Sequence, residues 1–171
     1  PLDMALSPDG IKMAVSYMRV NGNKISTHIA FYNFGSAGQM ELNNQVGELN
    51  VDDVLAPQIF FCDNSTAVAV RTDGFTVFSG SQSPKEKKTV KFDQEIISTF
   101  HDGNRIGFVF DGGDSGHKYL MKVYNTGGKN TMQKYFDLQY NSITLQKDKI
   151  VLFNEKEFAI YKLNGQKTFQ G

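Results

Sequence analysis

One pattern occurs four times along this chain: a short β-rich run that ends in an aromatic residue followed by a turn. It reads Ala30-Phe31-Tyr32-Asn33, Thr76-Val77-Phe78-Ser79, Lys122-Val123-Tyr124-Asn125 and Ala159-Ile160-Tyr161-Lys162, so the aromatic falls at 32, 78, 124 and 161, in steps of 46, 46 and 37. A second apolar strand precedes each run: Met13 to Tyr17, Ala67 to Arg71, Ile106 to Phe110 and Ile150 to Asn154. A first strand lies upstream again: Asp3 to Leu6, Gln58 to Phe61, Ile96 to Phe100 and Ser142 to Leu145. A fourth, weaker strand closes each unit: Gln45 to Leu49, Lys88 to Phe92, Met132 to Phe136 and Lys167 to Phe169. Gly, Asn and Asp turns separate the strands, and helical periodicity is absent almost throughout.

Four strands in each unit of roughly 40–45 residues is the spacing of a propeller blade, because one such sheet cannot bury its faces alone and must stack on neighbours. A linear β-solenoid repeats at about half that length, and an immunoglobulin-type sandwich does not repeat internally. The expected fold is therefore all-β: a β-propeller of about four blades of four antiparallel strands, either self-closed or an arc of a larger ring. The blades are expected near residues 1–51, 52–93, 94–138 and 139–171 of a single domain. Inner strands are expected to be short and apolar, because neighbouring blades bury both their faces. Outer strands such as Lys88-Thr89-Val90-Lys91-Phe92 alternate polar and apolar, as a half-covered strand does.

Charge narrows the partners. Eighteen Lys and Arg balance eighteen Asp and Glu, which leaves no basic excess for a nucleic-acid backbone. Lys85-Glu86-Lys87-Lys88 is too short and mixed to hold an anionic membrane. The single cysteine, Cys62, excludes an internal disulfide and a multi-cysteine zinc site, and its place after Ile59-Phe60-Phe61 reads as a buried, inert thiol. No run approaches the length of a membrane span, and no signal peptide is present. The chain opens Pro1-Leu2-Asp3 without an initiator Met, as expected of a trimmed piece with an anchor upstream.

Chemistry-bearing motifs are few. The three histidines, His28, His101 and His117, are read as one within a strand, one just after a strand and one at a strand start, with no spacing that brings them together. No nucleophile elbow, phosphate-binding loop, zinc-helix motif or dinucleotide fingerprint occurs. Asp111-Gly112-Gly113-Asp114-Ser115-Gly116 offers carboxylates and carbonyls on a flexible turn, as calcium needs, which makes Asp111 and Asp114 weak metal candidates; the favoured reading is a solvated hairpin loop. Gly112-Gly113 and Gly127-Gly128 are read as hairpin glycines. Asp52-Asp53 is an acid pair placed in the long connection after the first unit, where it could serve acid–base work but reads better as an exposed pair. Most of the 14 Phe and 7 Tyr follow the repeat and belong to blade packing; Tyr17 and Tyr140 fall outside it and stay open as ligand-facing aromatics. No catalytic residue, resident metal or cofactor is assigned.

At Leu6-Ser7-Pro8-Asp9-Gly10-Ile11-Lys12-Met13-Ala14-Val15-Ser16 the chain resembles the Ser-Pro-Asp-Gly propeller repeats that also occur in TolB-like proteins and prolyl-peptidase propellers. With His28-Ile29-Ala30-Phe31-Tyr32-Asn33-Phe34-Gly35 and Arg105-Ile106-Gly107-Phe108-Val109-Phe110 the likeness extends over most of the chain. It then resembles an uncharacterised family of Gram-positive bacterial proteins with one N-terminal transmembrane helix and a propeller-like domain of unknown function. The Trp-Asp pair of WD40 repeats is absent. The resemblance implies anchoring at the cell membrane with the soluble domain outside the cytoplasm, and it transfers no site residues. The expected function is non-enzymatic binding or scaffolding at the bacterial cell envelope, with a protein or an envelope polymer as partner. The alternative is a hydrolase, or a hydrolase-associated propeller, acting on glycan or peptide. An arc would expose an apolar face at each end, so a homodimer is expected in which Leu2–Val20 of one copy meets Ile143–Phe169 of the other.

Overall fold

A computed structural model describes residues 1–171, and its strands form four separate four-stranded sheets. The first sheet holds β1 (Asp3–Leu6), β2 (Lys12–Asn21), β3 (Lys24–Asn33) and β4 (Gln45–Asp52). The second holds β5 (Gln58–Phe61), β6 (Thr66–Arg71), β7 (Gly74–Ser79) and β8 (Lys85–Lys91). The third holds β9 (Ser98–Asp102), β10 (Arg105–Asp111), β11 (Tyr119–Asn125) and β12 (Asn130–Phe136). The fourth holds β13 (Ser142–Gln146), β14 (Lys149–Phe153), β15 (Phe158–Lys162) and β16 (Lys167–Gln170). Each sheet is a meander of consecutive antiparallel strands, so the four sheets are the blades that the repeat predicts.

The repeated aromatics stand in one register. Tyr32 pairs with Met13, Phe78 with Ala67, Tyr124 with Ile106 and Tyr161 with Ile150, across the second and third strands of successive blades. The pairing with the fourth strand slips just before each of them, between Phe31 and Tyr32, Val77 and Phe78, Val123 and Tyr124, and Ile160 and Tyr161. Each slip is a bulge that leaves one residue of the outer strand unpaired and adds twist there.

The chain forms two compact units, Pro1–Asp93 and Gln94–Gly171, each with two blades. In the first, Ala14, Ile29 and Phe31 of blade 1 pack against Ile59, Ala67 and Phe78 of blade 2. The Phe31 and Phe78 rings lie 4.8 Å apart. In the second, Val109, Met121 and Val123 of blade 3 pack with Leu145, Ile150 and Tyr161 of blade 4. Burial of these faces supplies the main drive for folding, about 25 cal/mol for each Å² of apolar surface removed from water.

Four details differ from expectation. The first strand of blade 3 is Ser98–Asp102 rather than Ile96–Phe100, because its ladder runs on to a tight turn at Asp102–Arg105; His101 is therefore inside a strand, not after one. The first hairpin is longer than expected, with ten residues in each of β2 and β3, and β4 continues to Asp52. Short 3₁₀ turns occupy 36–38, 42–44 and 113–115, the last placing Gly113 in a helical turn instead of a simple hairpin. Finally, inner strands are not evenly covered: β5 buries Ile59 and Phe60 on its two faces, whereas Met4 and Leu6 of β1 are exposed. Deepest burial lies on second and third strands such as β6 and β7, where Arg71 at 6% exposure is held by two bonds to the Asp73 carboxylate at 2.8 and 2.9 Å.

Candidate functional site

Alternation along a strand sends neighbouring side chains to opposite faces, and in blade 1 the division is sharp. Asp3 and Ala5 turn toward blade 2, where the Asp3 carboxylate accepts a hydrogen bond from the Ile59 amide at 2.8 Å. Met4 and Leu6 turn the other way and are 59% and 61% exposed. The cross-strand pairs carry this outer face through Met13, Val15 and Tyr17 of β2 and through Tyr32, Ala30 and His28 of β3. Tyr17 and Tyr32 share a hydrogen bond that, with burial, raises the Tyr32 hydroxyl above its ordinary range. The buried His28 ring lies 6.0 Å from that of Tyr17, its Nδ1 is 2.8 Å from the Asn50 side-chain oxygen, and its Nε2 is 3.8 Å from Glu48. The outer face of blade 1 thus exposes Met4 and Leu6 beside half-buried Met13, Tyr17 and Tyr32, while Val15, Ala30 and His28 between them are buried; exposed apolar side chains next to a small hydrogen-bonding cluster suit an interface.

Blade 4 has an outer face of its own. Ile150 and Leu152 point into the core of the second unit, so Val151 and Phe153 point out, with Ile160 and Phe158 beside them. Phe153, Phe158 and Phe169 are 41%, 38% and 51% exposed, and the rings of the last two stack at 5.1 Å.

The remaining candidates stay apart. His117 and Asp137 meet at 2.8 Å on the surface beside the ring of Tyr135, and hydrogen bonds from His117 and the Lys118 amide lower the Asp137 carboxyl. Asp111 is exposed and accepts the Gly113 amide at 2.8 Å, while Asp114 is exposed in the 3₁₀ turn. No group of three or more His, Cys, Asp or Glu forms anywhere in the chain. Asp52 ends β4, so the Asp52-Asp53 pair straddles a strand end rather than lying within a connection. Burial, and then the charge of Asp63, push the Cys62 thiol up to about 12, which keeps it protonated and unreactive at neutral pH. Tyr140 is a packing residue: its ring lies against Tyr119 and Phe136, and its hydroxyl is 2.6 Å from that of Ser98.

A model of a family of unknown function, DUF5711, matches residues 1–171. The chain belongs to that family. A comparison with curated proteins found no match. Among solved structures, the DUF5711 chain is similar to Sqt1 from Chaetomium thermophilum (12% identity, TM-score 0.67, covering 94% of this chain and 42% of that one). Sqt1 from Saccharomyces cerevisiae gives 13% identity and a TM-score of 0.63, covering 98% of this chain and 46% of that one. BamB from Moraxella catarrhalis gives 9% identity and a TM-score of 0.52, covering 98% and 60%. These likenesses show the β-propeller fold. The chain spans between 42% and 60% of the length of these structures. No helix is long and apolar enough to cross a membrane.

The pairing of Tyr17 with His28 escaped the motif search, yet a signal was present: the two lie equally far either side of the Asn21–Lys24 turn, so any hairpin there must bring them opposite one another.

Proposed function

We propose that this domain binds and scaffolds, without catalysis, at the bacterial cell envelope, held there by an anchor outside the described residues, with a protein or an envelope polymer as its partner. The observation that carries the reading is the outer face of blade 1, where exposed Met4 and Leu6 border Tyr17, His28 and Tyr32. A surface of this kind takes a partner by burying its apolar side chains while its polar groups fix orientation. Propellers in general are rigid frames for such surfaces and for loops. Placement at the envelope, in a Gram-positive cell, rests on the sequence resemblance.

The test pairs binding with turnover. Purified chain is titrated against isolated cell-wall polymers and against crosslinked envelope proteins, and each is then assayed for cleavage. Saturable binding to one of them, weakened at least tenfold by Leu6→Asp and with no cleavage, is the expected result. Hydrolysis of a glycan or peptide by the purified chain overturns it. Fractionation of cells places the full-length protein, and recovery in the cytosol overturns the envelope assignment.

A further inference from the structure

The connection from third to fourth strand is four residues long in blades 3 and 4 (126–129 and 163–166) and five in blade 2 (80–84), but eleven in blade 1 (34–44). The short version suffices to turn the chain back, so the added residues serve something other than the ladder. They carry the two most exposed large apolar side chains of the protein, Met40 at 90% and Leu42 at 85%. Phe34 and Ile11 at the base of the loop are exposed as well.

The loop is fastened rather than slack. Its ends meet where Tyr32 pairs with Gln45. The Phe34 amide donates to the Ile11 carbonyl at 2.9 Å, the Gly35 amide to Asn33 Oδ1 at 2.8 Å, and Asn44 Nδ2 to the Gly38 carbonyl at 3.2 Å. Gly38 lies against the backbone of Asn33, where a Cβ would strike the carbonyl. Asn43 and Asn44 stand in the left-handed region, with φ of +55° and +61°, and turn the chain into β4 at a conformational cost. A self-packed loop of this length with joined ends is an Ω-type loop. Here its own bonds hold Met40 and Leu42 in water.

The charge of the surroundings narrows the occupant. Between Lys24 and Arg71 the sequence has no Lys or Arg, yet it has Glu41, Glu48, Asp52, Asp53 and Asp63. Beside the loop an open hollow of about 400 Å³ is lined by Glu41, Leu42, Asn43, Gln45, Val46 and Glu48. Both of its carboxylates are exposed. A lipid surface matches poorly, because anionic headgroups repel acids beside the apolar tip and no base in the loop offsets them.

We propose that the 34–44 loop docks a cationic amphipathic segment of a partner protein: its apolar side chains cover Met40 and Leu42, and a Lys or Arg enters the hollow between Glu41 and Glu48. Methionine suits such a contact, since its unbranched, polarisable side chain adapts to differently shaped partners. Opposite charge at the margin fixes orientation and rejects acidic segments. The loop is a different element from the strands that carry Met4, Leu6 and Tyr17, and the proposal does not rest on the reading of that face.

A labelled synthetic peptide of Leu and Lys in amphipathic order tests it, titrated by fluorescence anisotropy. The proteins are the chain, Met40→Ser with Leu42→Ser, Glu41→Gln with Glu48→Gln, and Leu6→Asp. The same peptide with Glu in place of Lys, and vesicles of phosphatidylglycerol, run beside it. The Leu/Lys peptide is expected to bind saturably, about tenfold more weakly to the serine pair and about threefold more weakly to the glutamine pair. Leu6→Asp is expected to bind as the parent does, and the Leu/Glu peptide and the vesicles not at all. The serine pair is expected to keep the parent's urea midpoint, because both side chains already stand in water. Absence of saturable binding, binding that ignores either pair, equal binding of the Leu/Glu peptide, or vesicle binding that the serine pair abolishes overturns the proposal. Loss of binding with Leu6→Asp overturns it too, by seating the peptide on the outer face. A lowered midpoint of the serine pair does the same, by making Met40 and Leu42 packing residues. The scaffold reading fails separately, when wall polymers and envelope proteins do not bind while the peptide does.

Discussion

Gly107 shows how far one atom constrains a blade. It sits opposite Phe100 in β9–β10, and a Cβ built on it would come within 2.0 Å of the Phe100 ring. The ring lies over the space a side chain would need, in the core shared by blades 3 and 4. Gly107→Ala is expected to cost about 1–3 kcal/mol through forced movement of that ring, read as a lowered urea midpoint, with part of the loss recovered by adding Phe100→Leu. A midpoint unchanged by Gly107→Ala contradicts the packing described. Such a constraint could not be read from sequence, where the equivalent positions hold Ala14, Val68 and Val151 and a glycine looks like a turn or bulge. The Ser-Pro-Asp-Gly turn was legible, because its chemistry is local. The Ser7 hydroxyl and the Asp9 carboxylate are 2.5 Å apart, Asp9 also accepts the Ile11 amide, and Gly10 has φ of +71°.

At the scale of elements, the four bulges are one device with interchangeable fillings. The unpaired outer-strand residue is Val46, Lys87, Thr131 or Thr168. Both threonines use their hydroxyl in the same way, donating at 3.2 Å to the carbonyl opposite, of Val123 and of Ile160. Thr131→Val keeps the β-branch and removes only that bond, so the expected loss is about 0.5–1.5 kcal/mol. Hydrogen exchange at β12 amides should quicken with it; protection equal to the parent's would show that the hydroxyl contributes nothing. Strand positions were legible because alternation and turn residues recur locally. The bulges and the role of each face were not, since these depend on which neighbour a sheet meets. The His117–Asp137 contact was hidden for the same reason, being formed only when the β11–β12 pairing is known.

The molecule as a whole should tolerate alkali and acid unequally, and the groups responsible can be named. His101 is exposed at the end of β9, and partial desolvation of its ring lowers it below its ordinary 6.5, against the pull of Asp102. Its contribution to stability is complete above 6.5 and is lost as pH falls through the lowered folded value. Asp9, Asp137 and Asp148 are lowered from 3.8, chiefly by hydrogen bonds from Ser7, His117 and Lys149, so theirs is present above 3.8 and lost only in stronger acid. Urea midpoints are therefore expected to fall slightly on acidification below 6.5, with the exposed carboxylates adding little until stronger acid. His101→Leu, which restores the residue type of Leu6 and Leu145 at the equivalent position, should abolish that slight fall. A fall that persists in the variant assigns it elsewhere. On the alkaline side the sign reverses. Tyr140 and Tyr161 are raised above 10.0 by burial and Cys62 from 9.0 to about 12, so their contributions are full below those ordinary values and lost as pH rises.

Every sheet takes its strands in unbroken order, and no blade lends a strand to another. Seams between blades are thus single connecting segments, such as Asp53–Pro57 or Asp137–Asn141, that carry no rung of any ladder. A gene encoding such a chain can gain or lose a whole blade by duplication or deletion at a seam without cutting a hydrogen-bonded strand pair. Its evolutionary unit of change is then the cassette rather than the ring, and copies of it can diverge in their surfaces while keeping the faces that join them.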